Sequence, residues 1–85
     1  MRVRVTKKNI LDGKPNSISS CPIALALKQL GKRNVGVDYD VAKWSGREAT
    51  LPAKAQRFIE RFDRGDDPLT LKPFTFNLHV RKTDG

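Results

Sequence analysis

Three segments of this chain alternate apolar and polar residues, and this pattern constrains the fold more than any other feature. They are residues 2–5 (RVRV), 35–41 (VGVDYDV) and 73–80 (PFTFNLHV). Side chains alternate between the two faces of a strand, so the apolar residues of each segment fall on one face. A sheet covered on both faces is instead built from continuous apolar runs. The pattern therefore predicts strands that are packed on one face and open on the other.

Two helices are predicted between these strands. The first runs from about Cys21 to Leu30, with Ser19 or Ser20 as its N-cap, and Gly31 ends it. Pro22 suits the first turn, where its missing N–H has no helical partner. The second helix begins at Pro52 and carries apolar residues at helical spacing, namely Ala55, Phe58, Ile59 and Phe62.

The order of these elements predicts a small two-layer α+β domain, β-α-β-β-(β)-α-β, with a mainly antiparallel sheet and both helices on one face. Ser45-Gly46 separates two strand-like runs, as a tight hairpin turn does. We expect a single domain over residues 1–85, with an ordered core at 1–80 and a flexible tail at 81–85. Because 85 residues bury a modest share of their surface, we also expect a homo-oligomer.

The formal net charge of +8 is concentrated near the N-terminus. Residues 1–33 hold eight Lys or Arg residues against one acidic residue, Asp12. A field of this sign attracts anionic partners such as nucleotides, nucleic acids or acidic proteins. It equally suits a basic protein whose charge only aids solubility, and composition does not separate the two interpretations.

Cysteine and histidine usage argues against several classes of site. The chain has one cysteine and one histidine, so we predict no internal disulfide, no structural zinc and no metal site or cofactor. The opening, MRVRVTKK, lacks the apolar stretch of a signal peptide or membrane span. We expect a reduced, cytoplasmic protein with no membrane partner.

The open face of the sheet is the first candidate ligand-binding site. If the first and last strands are neighbours, Arg2, Arg4, His79 and Arg81 form one cationic surface. Such a surface binds an anion, pairs with a second copy of the chain, or is simply solvated.

The start of the first helix is the second candidate. Its free amides carry partial positive charge, and Ser17, Ser19 and Ser20 add hydroxyls while Lys14 adds charge. The serines equally serve as caps, since no phosphate-binding glycine motif accompanies them. Cys21 lies at the same place, where the helix dipole lowers a thiol pKa. It lacks a neighbouring base, so we predict no catalytic residue and no enzyme activity.

Two further features carry open alternatives. Lys54, Arg57 and Arg61 form a basic stripe on the second helix that either contacts phosphates or is solvated. Trp44, beside the hairpin turn, either packs in the core or offers a platform for a base.

The motifs CPIALAL and KPFTFNL, together with VTKKNILDG and LPAKAQRFIERFDRG, resemble those of a group of small, mostly uncharacterised accessory proteins of tailed phages and prophages. The resemblance covers residues 3–78, and the segment DDPLTL is additional to it. It implies action in a bacterial host cytoplasm, where such proteins bind host factors or sequester nucleotide signals. It carries over no functional residue.

Together these observations predict a non-enzymatic, phage-type accessory protein that binds an anionic ligand, in its sharpest form an anti-defence sponge for nucleotide immune signals. One alternative is an inhibitor of a host protein, such as a CRISPR or other defence effector. Another is a small nucleic-acid-binding protein. Affinity that falls steeply with salt distinguishes the last of these.

Overall fold

The computed structural model describes residues 1–79, which form an α+β domain, as predicted. No helix in this range has the length and apolar character needed to span a membrane. The elements in chain order are β1 (Arg2–Val5), α1 (Lys7–Asp12), α2 (Pro22–Gln29), β2 (Gly36–Val37), β3 (Val41–Trp44), β4 (Arg47–Thr50), α3 (Ala53–Asp63) and β5 (Phe74–Asn77).

The first and last strands are neighbours. β1 and β5 pair antiparallel, with Val3 opposite Phe76 and Arg4 opposite Thr75. Val3 and Val5 are completely buried, whereas Arg2 and Arg4, which alternate with them, are exposed. The alternation in the sequence therefore predicted the two faces of this pair correctly.

The remaining strands form a separate antiparallel meander in the order β2-β3-β4. Ser45 and Gly46 join β3 to β4 with φ angles of 46° and 77°. Positive φ angles at both positions are typical of a two-residue hairpin turn. Trp44, at the end of β3, is only 3% exposed. The hairpin prediction is confirmed, and Trp44 is a core residue rather than a platform for a base.

Two sheets thus replace the one sheet that the alternation suggested. The run from Val35 to Val41 breaks at Asp38, whose carboxylate accepts from the Tyr39 N–H and whose own N–H donates to the Val41 carbonyl. This turn leaves Tyr39 half exposed and limits β2 to two residues. α2 packs against both β1 and β2 and so joins the sheets.

A short helix, α1, follows β1 and precedes the two helices that the sequence predicts. Thr6 caps it, and the Thr6 N–H and hydroxyl both donate to Asn9 Oδ1, each over 2.9 Å. Asn9 is 1% exposed and is the buried polar residue of this core. Because its side-chain oxygen has both partners, its burial costs little.

α3 follows its predicted amphipathic pattern. The apolar stripe of Ala55, Phe58, Ile59 and Phe62 is buried. Pro52 is the N-cap, and Gly65, with φ of 96°, follows the helix end. The charged residues of α3 lie on its opposite side, and they border the site described next.

Candidate functional site

The start of α2 is capped by Cys21, so the expectation that Ser19 or Ser20 caps it is wrong. Cys21 Sγ accepts from the Ala24 N–H over 3.4 Å. The residue before a proline favours extended backbone, and Cys21 has φ −69° and ψ 162°. Because Pro22 takes the first helical position, the residue before it becomes the cap.

The polar groups around this helix start are used within the loop. Ser17 Oγ accepts from the Ser20 N–H over 3.1 Å. The Ser19 carbonyl accepts from Lys28 Nζ over 2.6 Å, and the Ser20 carbonyl accepts from the Lys14 N–H over 2.9 Å. These bonds order the loop, and they use the Ser17 hydroxyl and the backbone carbonyls of Ser19 and Ser20.

Burial raises the pKa of the Cys21 thiol, although hydrogen bonds from backbone amides of the first turn oppose the shift. The nearby negative charge of Asp63 raises this pKa further. The expectation that the helix dipole lowers it is therefore wrong, because desolvation of the thiolate outweighs the amide contribution. A neutral, 6% exposed thiol is a poor nucleophile.

The cavity beside Cys21 is acidic. It has a volume of about 210 Å³ and is lined in part by Asp38 and Asp63. Two carboxylates that line a small cavity repel an anion. Ser17 and Cys21 line this same cavity, so this side of the predicted helix-start site disfavours phosphate. Lys14 and Ser20 line a separate cavity of about 390 Å³.

The sheet-face residues are partly brought together. Arg2 and Arg4 lie on the exposed face of the β1–β5 pair, opposite Asn77 and Thr75. His79 is exposed just beyond β5. Arg81 lies outside the described residues. Two arginines of this candidate surface thus share one open face.

A groove with a volume of about 550 Å³ lies between α3 and the segment that leads into β5. Its apolar lining includes Phe58 and Phe74. Four cationic residues line it, and no carboxylate of residues 1–79 does. They are Lys54, Arg57, Arg61 and Lys72.

Helical spacing explains why three of these cations share one side of α3. Lys54, Arg57 and Arg61 are related by i, i+3 and i+7, which places them along one stripe beside Phe58. Within residues 1–79 the structure shows one ion pair, between Arg64 and Asp66. None of the four groove cations forms an ion pair with a carboxylate in that range, although the charge of Arg61 contributes to lowering the pKa of Asp66.

The phenylalanine rings form a row whose two middle members, Phe58 and Phe74, line the groove. Phe62 lies 5.9 Å from Phe58, Phe58 lies 4.8 Å from Phe74, and Phe74 lies 5.7 Å from Phe76, measured between ring centroids. All four phenylalanines of the chain are in this row. Phe74 is half-buried, and Lys54 Nζ lies 6.0 Å from its ring centroid. An aromatic surface with a cation beside it thus lines the groove.

α3 therefore separates two surfaces of opposite charge. Ile59 and Asp63 face the acidic cavity, whereas Arg57 and Arg61 face the groove. Of these two surfaces, the groove is the one that suits an anion. The sequence identified the stripe on α3 as a possible phosphate contact, but it gave no sign that Lys72 and Phe74 complete the opposite wall.

Other site chemistry is sparse in this part of the chain. Across residues 1–79, no group of three or more His, Cys, Asp or Glu side chains is arranged to hold a metal ion.

No family model, curated protein or solved structure matches the chain. The resemblance to phage accessory proteins therefore stays a prediction.

Proposed function

We propose that this protein binds an anionic ligand of the nucleotide class in the groove between α3 and β5, without chemical turnover. The observation that carries this proposal is that four cations line the same groove as the half-buried ring of Phe74. The cations suit phosphate oxygens, and the ring suits a planar base. The groove volume of about 550 Å³ is in the range of small-molecule sites.

The spacing of the charges favours a small ligand. Lys54 and Arg61 are seven residues apart, which is about 10 Å along a helix axis. That distance suits a short chain of linked phosphates better than a long nucleic acid. Arginine binds phosphate through two parallel hydrogen bonds, so Arg57 and Arg61 are the main phosphate ligands of this proposal.

Binding without turnover agrees with the composition of the groove. Among the described residues, those that line it include no His, Cys, Asp or Glu, the side chains that most often act as bases or nucleophiles. In the sharpest form of the proposal, the protein is an anti-defence sponge that sequesters nucleotide immune signals in a bacterial host cytoplasm. That context rests on the resemblance to phage accessory proteins.

A calorimetric titration of the full chain tests the proposal with four probes, namely ADP-ribose, a cyclic dinucleotide, tripolyphosphate and an oligothymidylate. We expect saturable binding of a nucleotide, weaker binding of tripolyphosphate, and unchanged nucleotide when the mixture is analysed by chromatography. Conversion of the nucleotide would contradict a sponge.

The other outcomes favour the alternatives. Binding of the oligothymidylate alone, with affinity that falls steeply as salt is raised, supports a nucleic-acid-binding protein. If none of the four probes binds, the proposal is contradicted. Capture of one host protein from lysate would then support an inhibitor of a defence effector. The predicted homo-oligomer stays a prediction, and sedimentation of the same sample measures it.

A further inference from the structure

Lys7 holds the loop that forms one wall of the groove. Its ammonium donates to the carbonyl oxygens of Pro68, Leu69 and Leu71, each over 3.1 Å. These acceptors are more than sixty residues away along the chain. An ammonium group has three N–H donors and no acceptor, so this geometry uses its full bonding capacity.

The carbonyls point towards Lys7 because the loop makes a single turn just before the groove. The Thr70 N–H donates to the Asp67 carbonyl over 2.9 Å, and the Leu71 N–H donates to the Pro68 carbonyl over 3.3 Å. The Leu69 N–H donates to Asp67 Oδ1 over 2.9 Å, which closes the start of the turn. The Pro68 carbonyl thus has a donor within the turn, whereas the Leu69 and Leu71 carbonyls accept from no N–H of the turn, and a cation beside them is favourable.

The loop is held by its own turn bonds, by the buried side chain of Leu71, which is 6% exposed, and by the bonds from Lys7. Of these, the Lys7 bonds tie the loop to α1. Phe74, in the wall opposite α3, is also positioned by strand pairing and by its contact with Phe58. The position of Lys72, which precedes β5 in the same wall, therefore depends in part on the bonds that Lys7 makes.

We propose that Lys7 is a positioning residue for the groove, which acts through the loop at residues 68–73 and does not itself contact the ligand. This inference rests on the proposed function, because it assigns Lys7 a role in binding at the same site. It links α1, which is remote from the groove in sequence, to ligand affinity. The sequence DDPLTL, additional to the phage-protein resemblance, contains the three carbonyls that Lys7 binds.

The test compares Lys7→Met with three variants of the full chain. Lys8→Met removes the same charge from the exposed neighbouring position. Ile10→Val weakens the core of α1 without touching the loop, and so controls for lost stability. Lys7→Arg keeps a cation that only donates hydrogen bonds.

Two readouts are measured well below the melting temperature of every variant. The first is amide hydrogen exchange of peptides covering residues 66–73, and the second is affinity for ADP-ribose and a cyclic dinucleotide. We expect Lys7→Met to speed exchange in this loop and to weaken nucleotide binding by about tenfold, the size of effect that charged hydrogen bonds produce. Lys8→Met and Ile10→Val should bind as the wild type does, and Lys7→Arg should bind more tightly than Lys7→Met.

Equal affinity of Lys7→Met and wild type would overturn the inference, even if exchange in the loop rises. Equal weakening by Ile10→Val would also overturn it, because the effect would then follow stability alone. If the wild type binds neither nucleotide, the proposed function fails and the positioning role fails with it. Loop exchange would then show separately whether Lys7 holds residues 68–71.

Discussion

The ring centroids of Phe58 and Phe74 lie 4.8 Å apart, with 44° between the ring planes. This contact joins the buried face of α3 to the start of β5. It also places the half-buried ring of Phe74 beside the exposed cations of α3. Core packing and the proposed binding surface therefore share one pair of side chains, and the predictions below separate their two contributions.

The paired substitution Arg57→Ala/Arg61→Ala should weaken nucleotide binding by tenfold or more. Each arginine is exposed, so its loss removes phosphate contacts while changing the free energy of unfolding by only about 0.5 kcal/mol. Titration calorimetry with ADP-ribose and a cyclic dinucleotide measures the effect. The matched control is Arg33→Ala/Arg47→Ala, which removes the same charge from exposed positions outside the groove. Similar losses in both variants would mean that net charge, and not the groove, attracts the ligand.

Phe74→Leu should weaken binding of a nucleotide more than binding of tripolyphosphate. The leucine keeps much of the apolar volume but removes the aromatic surface, and stacking of a base contributes about 1–3 kcal/mol. The control is Phe62→Leu. The Phe62 ring also packs against Phe58 but does not line the groove, so this substitution should lower stability without changing affinity. A parallel loss of affinity for both probes in Phe74→Leu would argue against base stacking.

Cys21 should react slowly with iodoacetamide in the native protein at pH 7–8 and rapidly after denaturation. Its pKa is raised in the folded state mainly because burial disfavours the thiolate. The unfolded chain ionises first as pH rises, so the protonated thiol stabilises the fold fully below about pH 8.5. That contribution is lost progressively above this pH. Mass spectrometry follows alkylation, and fast native labelling at pH 7 would contradict the assignment of an inert cap.

Gly13→Ala should destabilise the domain by about 1–3 kcal/mol, a typical effect of overpacking. Gly13 has an ordinary φ of −70°, so the expected cost is steric. An added Cβ would lie 2.6 Å from both Cδ and Cγ of Pro22. Urea unfolding of Gly13→Ala in the wild-type and Pro22→Ala backgrounds measures the coupling. The cost should shrink in the Pro22→Ala background, and an unchanged cost would show that the proline ring is not its source.

Local patterns predicted the elements whose residues interact with near neighbours in the sequence. The alternation of residues 2–5 identified the buried face of β1, and the stripe from Ala55 to Phe62 identified the buried face of α3. Ser45-Gly46 identified the hairpin because its turn type depends on two adjacent backbone conformations. In each case the required information lies within about ten residues.

Features that depend on distant contacts could not be predicted in the same way. The turn at Asp38 interrupts an otherwise regular apolar alternation and makes β2 and β3 neighbours in one sheet. No local pattern shows that this sheet is separate from the β1–β5 pair. The cap of α2 depends on Pro22, whose effect on the preceding residue was a signal available in the sequence. The direction of the Cys21 pKa shift depends on burial, which only the folded chain reveals.

The candidate site shows the same limit. The sequence showed the basic stripe on α3, but the alternation assigned Phe74 to a covered face, and nothing indicated that Lys72 faces the stripe. Lys7 and the loop at residues 68–71 are too far apart in sequence for any local pattern to connect them. The groove is a tertiary feature, and the residues that complete it come from a loop without regular structure.

The most direct measurement of the central claim is a titration of the ¹⁵N-labelled full chain with ADP-ribose and, separately, a cyclic dinucleotide, followed by amide chemical shifts. Binding in the groove predicts saturable shifts confined mainly to residues 54–61 and 70–74. Shifts centred instead on residues 17–21, or on Arg2, Arg4 and His79, would place the ligand elsewhere. No saturable shift with either nucleotide would contradict the account.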